Sequence, residues 1–155
     1  MIEAQAAISE VFILVATAFD ERFVVDCLAT MRDEGVAVKL VGLGSGFIKS
    51  VRGLQVCPDM TLLQLEQQPF VPWKRPLLVL PGNAVCIAHL LSDPRVHRLV
   101  RTAVAANGCV ATATAAQSLF YDELSLLDKR KTAVLPQGQQ ANHAFIEQLV
   151  VHLQR

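Results

Sequence analysis

Apolar positions along this chain recur at two spacings, and the spacings predict its elements. Val11 to Ala16, VFILVA, is a short unbroken run rich in β-favouring residues, which predicts a buried strand. Phe23, Val24, Cys27, Leu28 and Met31 then recur at helical spacing. Asp20 stands where a side chain caps a helix, and Gly35 where a helix stops. VAVKLVGL, residues 36–43, is the next strand. A strand–helix–strand unit of this kind builds a parallel sheet through a right-handed crossover.

The pattern continues to the end of the chain. Glycines in GSGFIKSVRG predict a turn or small hairpin, and LQVCPD (residues 54–59) a short extended piece. RPLLVLPG (75–82) is a buried strand ending in a Pro-Gly turn. Residues 83–108 read as helix, broken near Asp93-Pro94 and stopped at Gly108. CVATATA (109–115) predicts a strand, AQSLFYDELSLLD (116–128) a helix, KTAVLP (131–136) a short strand and ANHAFIEQLVVHL (141–153) a final helix. Strands alternate with helices throughout, so the expected class is α/β, a mostly parallel sheet flanked by helices on both faces. No repeat, linker or low-complexity tract divides the chain, and residues 1–155 read as one domain.

Composition narrows the function classes. The chain is 52% hydrophobic and 18% charged, which points to a buried sheet or a buried subunit interface. Fourteen basic residues balance fourteen acidic ones, so neither the net charge nor any basic run suggests nucleic acid. The N-terminal apolar run lacks a basic flank and reads as a first strand, not a signal peptide. No apolar run is long enough for a membrane helix. The four cysteines are far apart and form no CxxC pair, so a reducing cytoplasm is the expected home.

Candidate chemistry lies where parallel sheets place it, at the carboxyl ends of strands near a switch in strand order. Three segments qualify: Thr17 to Phe23, Pro81 to Val85 and Thr114 to Gln117. The last is a strand–turn–helix junction with Thr114 at its apex. A lone threonine is a weak nucleophile, and no base adjoins it in sequence. Its hydroxyl suits a helix cap, or a hydrogen bond to a ligand. Cys86 and His89 share a helix face, but no second pair completes a zinc site. No metal or cofactor is expected. Cys109 reads as a packed core thiol, Cys27 as core or interface, and Cys57 as a buried, unreactive thiol. His97, Arg95, Arg98 and Arg101 read as a solvated helix face. His143 and His152, on the last helix, suggest nothing specific. Trp73 and Lys74 fall in a loop that tucks over the sheet edge.

In order and spacing, FILVATAFDE, LATMRDEGVAVKLVGL, VRGLQVCPDMTLLQL, PLLVLPGNA and GCVATATAAQSLF resemble the ThiJ/PfpI (DJ-one/PfpI) superfamily. That resemblance implies the flavodoxin-like, class I glutamine amidotransferase-like fold. It also implies a cysteine on a nucleophile elbow, a glutamate near it from the first strand–helix segment, and a histidine after the elbow helix. Backbone amides complete an oxyanion site. This sequence departs at all three side chains. Thr114 stands at the cysteine position, followed by Ala115-Ala116; Phe23 stands near the glutamate position and Leu135 near that of the histidine. An alternative alignment makes AVLPQGQQANHAFI the family's last strand and terminal helix. The chain is also short for the family, with a segment missing after the elbow helix. Gly82-Asn83 replaces a frequent Gly-Gly, and a left-handed Asn83 would preserve that turn. Amides of Asn83 and Ala115 would then face an anion near the helix N-terminus.

The expectation is therefore a catalytically degenerate member that binds a small molecule or a protein, with Thr114, Ala115, Asn83 and Gly82 lining its pocket. A homodimer is the expected assembly, as in the family; Cys57 matches a cysteine near a dimer contact in some relatives. The alternative is a hydrolase, deglycase or stress-response enzyme that uses a relocated thiol, for which Cys86 is the candidate. The two differ in whether all four thiols react slowly in the folded protein.

Overall fold

β1 (Glu10–Val15) forms where the first apolar run predicts it, and is buried from Val11 onward. It belongs to a computed structural model that describes residues 10–70, 74–112 and 134–154. α1 (Glu21–Asp33) follows, and the Asp20 carboxylate accepts from the Arg22 N–H at 3.0 Å, the expected cap. Gly35 ends the turn after the helix at φ +78°. β2 (Ala37–Gly42) then pairs parallel with β1, with Ile13 opposite Leu40.

The glycine-rich stretch does form a small antiparallel hairpin, β3 (Ile48–Lys49) with β4 (Gln55–Val56). The chain returns as β5 (Met60–Thr61) beside β2. A short helix, α2 (Leu62–Glu66), starts where Thr61 and Gln64 cap one another's backbone N–H. The apolar pattern in MTLLQL is too short to announce that helix, but the capping pair is visible in the sequence.

β6 (Pro76–Leu80) is buried throughout and pairs with the other side of β1. α3 (Ala84–Leu91) and α4 (Pro94–Ala105) are divided at Ser92-Asp93, as the sequence suggests; Asp93 caps α4 and Pro94 opens it. β7 (Cys109–Thr112) lies beside β6, β8 (Val134–Pro136) beside β7, and α5 (Asn142–Leu153) closes the described chain. Trp73, the elbow at Thr114 and Ala115, and the helix expected over 116–128 lie outside the described residues.

The main sheet runs β5-β2-β1-β6-β7-β8, with every pairing parallel. From β1 the chain moves outward to β2, and from β6 outward in the opposite direction. The order therefore switches between β1 and β6. Right-handed crossovers on opposite sides of that switch put α1 on one face and α4 on the other. α1 packs with α5, where Phe23 meets Phe145 with ring centroids 6.1 Å apart. α4 packs on β6 and β7 together with α2 and α3. The fold is α/β as expected, and the core is the two apolar layers that sandwich β1, β6 and β7. Among the described residues no helix is long and apolar enough to cross a membrane.

Candidate functional site

The switch between β1 and β6 opens a crevice at the strands' carboxyl ends, the usual ligand position in such sheets. Here one side chain fills its floor. Cys86, in the first turn of α3, is fully buried. Its Sγ lies 3.3 Å from the Pro81 carbonyl oxygen and 3.7 Å from that of Ala16, so one thiol links the ends of both strands. Burial pushes this thiol up to about 11, against a smaller lowering from its hydrogen bond to the Ala16 backbone.

Backbone geometry at the crevice explains how the thiol fits. Gly82 has φ +112°, and a Cβ there would sit 2.9 Å from Cys86 Cβ. The left-handed residue of the turn is thus Gly82, whereas Asn83 is extended (φ −86°, ψ −178°). The expectation of a left-handed Asn83 is corrected: Asn83 is there as a cap. Its Oδ1 accepts from the N–H of Val85 at 3.0 Å and of Cys86 at 3.1 Å, satisfying donors that every helix start leaves open. Across the crevice Ala18 takes φ 69°, a conformation L-residues avoid. Its N–H donates to the Lys49 carbonyl at 2.9 Å, so the β3–β4 hairpin holds it there.

That hairpin also supplies the rim's charge. Arg52 pairs with Glu21 at 3.0 Å and with Asp20 at 3.5 Å. Burial raises the Glu21 carboxyl, but its own backbone N–H and the Arg52 guanidinium outweigh this and hold it below its ordinary value. The other two positions implied by the resemblance are packing positions. Phe23 is buried against Phe145, and Leu135 is a half-buried residue of β8 opposite Ala111. Neither brings a titratable group to the crevice.

Two polar residues at the next strand ends were missed in the sequence. Thr112, last in β7, is fully buried, and its hydroxyl has no hydrogen-bond partner among the described residues. Gln137, just past β8, is buried as well. Its N–H donates to the Thr112 carbonyl at 2.9 Å, and its side-chain amide donates to Gln140 O and Asn142 Oδ1, each at 2.9 Å. The signal for Gln137 was its place directly after VLP, a strand's carboxyl end.

Other expectations need correction. Cys57 is exposed, just after β4 at the edge of the small hairpin. Cys109 packs against the core but is only half-buried, at the amino end of β7, and its Sγ lies 3.4 Å from His152 Nε2. Cys27 is core as expected, and burial, with the Asp26 charge, pushes its thiol up to about 12. The basic stretch on α4 is not uniformly solvated. Arg95 pairs with Asp93 at 2.8 Å and also donates to the Leu43 carbonyl at 3.0 Å; His97 Nε2 lies 2.6 Å from the Leu91 carbonyl oxygen. The hydrogen bond from Arg95 holds the Asp93 carboxyl below its usual value despite partial burial. Lys74 reaches Glu10 at 3.6 Å. No group of three metal-capable side chains occurs among the described residues.

Comparison with known proteins agrees with this architecture. A DJ-1 superfamily protein of Salmonella typhimurium superposes with a TM-score of 0.75 at 20% identity, covering 94% of this chain and 90% of its own. DJ-1beta of Drosophila melanogaster gives 0.75 at 17% identity with the same coverage, and DJ-1 of Schizosaccharomyces pombe 0.70 at 13%, covering 92% and 90%. No curated protein matches the chain by sequence. The DJ-1/PfpI family model matches residues 9–154, and with that match over nearly its whole length the chain belongs to the DJ-1/PfpI family.

Proposed function

We propose that this chain is a DJ-1/PfpI-family domain that works by non-covalent binding, of a small molecule, an anion or a protein, and not by covalent turnover. The observation that carries the reading is Cys86. It is the one thiol at the described carboxyl-end crevice, and it is sealed beneath the turn, hydrogen-bonded to two strand ends. A nucleophile needs a thiolate with a path to substrate. Phe23 and Leu135, apolar at the positions of the family's acid and histidine, support the same reading. The ligand would lie above Cys86, against Gly82, Asn83, Thr114 and Ala115, with Arg52 and its two carboxylates at the rim. The wide spacing of the four cysteines fits a reducing cytoplasm.

Native alkylation tests the reading. With its thiol near 11, Cys86 holds on the order of a hundredfold less thiolate at neutral pH than an ordinary cysteine, before burial slows it further. Iodoacetamide at neutral pH should modify exposed Cys57 within minutes and leave Cys86 unmodified until the protein is unfolded. Cys86 reacting as fast as Cys57 would return the relocated-thiol enzyme to first place.

The partner that best fits the surface is a second copy of the chain. Phe47 is 73% exposed, and Val51 and Leu54 on the same hairpin are nearly half exposed. The family resemblance implies that the region of Cys57 lies near a dimer contact in some relatives. Phe47→Glu should weaken dimerisation by about tenfold or more in sedimentation experiments, as loss of a buried aromatic anchor does. An unchanged dimer, or a wild-type monomer, would exclude this face.

A further inference from the structure

The other notable thiol lies at the opposite end of the sheet. Cys109 opens β7 at its amino end, and its Sγ is 3.4 Å from His152 Nε2. β7 and the last turn of α5 bring these residues together, 43 positions apart in sequence. In the tautomer that carries its hydrogen on Nδ1, the imidazole can take the thiol proton. The last turn of α5 then favours the imidazolium, because the helix's terminal carbonyls attract positive charge. Arg75 lines the same recess, and its buried Nε has no hydrogen-bond partner among the described residues. A buried donor of this kind suits an anion, here the thiolate or a departing hydroxide.

The recess gives a small oxidant a path to the sulfur. The half-open space shared by Arg75, Asn107, Cys109 and His152 holds about 20 Å³. That is room for roughly one water-sized molecule. A small peroxide fits beside the sulfur, and the exposed side of half-buried Cys109 leaves the oxidised product open to a larger trapping reagent.

We propose that Cys109 and His152 form a thiol–imidazole pair that reacts with hydrogen peroxide, at a site separate from the crevice above Cys86. The imidazole takes the thiol proton, and the sulfur attacks one peroxide oxygen. An S–O bond forms and the O–O bond breaks. Sulfur is oxidised by two electrons, and the departing hydroxide takes the proton back from the imidazolium and leaves as water. The product is a Cys109 sulfenic acid. The event is a single oxidation of the protein and does not depend on the binding function proposed above.

Cys57 is a control within the same molecule, since it is more exposed than Cys109 and pairs with no imidazole among the described residues. The experiment is dimedone trapping of sulfenic acid during brief exposure to dilute peroxide, with both cysteine peptides followed by mass spectrometry. In wild type the Cys109 adduct should form at least about tenfold faster than the Cys57 adduct, a margin below the roughly hundredfold or more that a positioned base typically contributes. In His152→Gln the Cys109 rate should fall to that of Cys57 or below, with Cys57 unchanged. Faster labelling of Cys57 in wild type would overturn the proposal whether or not the variant folds. An unaltered Cys109 rate in a folded His152→Gln would overturn it as well.

Discussion

Gly108→Ala should destabilise the protein by about 3 kcal/mol and lower its melting temperature by about 10 °C, the scale of a forced core contact in a domain of this size. Gly108 is the point where α4 turns into β7. Its N–H closes the helix on the Ala103 carbonyl at 2.8 Å, and Asn107 before it takes φ 62°. A Cβ at residue 108 would fall on the Pro76 carbonyl oxygen, 2.6 Å from Pro76 Cγ and 2.7 Å from the Ala103 carbonyl oxygen. These are backbone and ring atoms of β6 and α4, so no flexible side chain can move aside. The strain would enter the register between β6 and β7, on which Thr112 and the carboxyl-end site depend. Thermal melting followed by circular dichroism checks it. A shift of less than about 2 °C would mean that this junction yields more easily than its packing implies.

Gly82→Ala should be the second most damaging single change, by about 2–3 kcal/mol. Two costs combine. The backbone at φ +112° is one that L side chains rarely adopt, and the new methyl would press on Cys86, 2.9 Å from Cβ and 3.1 Å from Sγ. The turn can relieve that pressure only by lifting away from α3, which opens the seal over the thiol. Iodoacetamide should then reach Cys86 in the folded variant. Denaturant unfolding gives the first effect, and peptide mapping after alkylation gives the second. Wild-type stability with a silent Cys86 would contradict the role assigned to this turn.

Much of the fold was legible because single-sequence signals happen to be strong where the architecture is decided. VFILVA and PLLVL are continuous apolar runs because β1 and β6 are covered on both faces. Asp20 and Asp93 announce the starts of α1 and α4, and both caps form. The carboxyl-end rule pointed to the edge of the sheet where the order switches between β1 and β6, and Gly82 was correctly placed in its turn. The misses at Cys57, Cys109 and His152 share one cause: they depend on what the tertiary fold brings to a residue, which local pattern does not encode. Cys57 sits in an apolar sequence context, yet Ile48 and Val56 of its hairpin pack against the core while Cys57 itself is exposed. Cys109 alternates like a core residue but opens its strand, where α5 covers it only in part. His152 looked unremarkable on its helix, because its thiol partner is brought to it by the tertiary fold. Cys86 was correctly seen to lie close to the turn, but whether it pointed into the crevice or plugged it required the positions of Pro81 and Ala16.

The measurement that tests the central claim most directly is consumption of methylglyoxal by the purified protein, beside a Cys86→Ser variant. If the domain acts by binding, wild type should consume no more than the buffer does, and the variant should match it. Consumption by wild type would contradict the claim, and its loss in Cys86→Ser would place the chemistry on the thiol that the fold encloses.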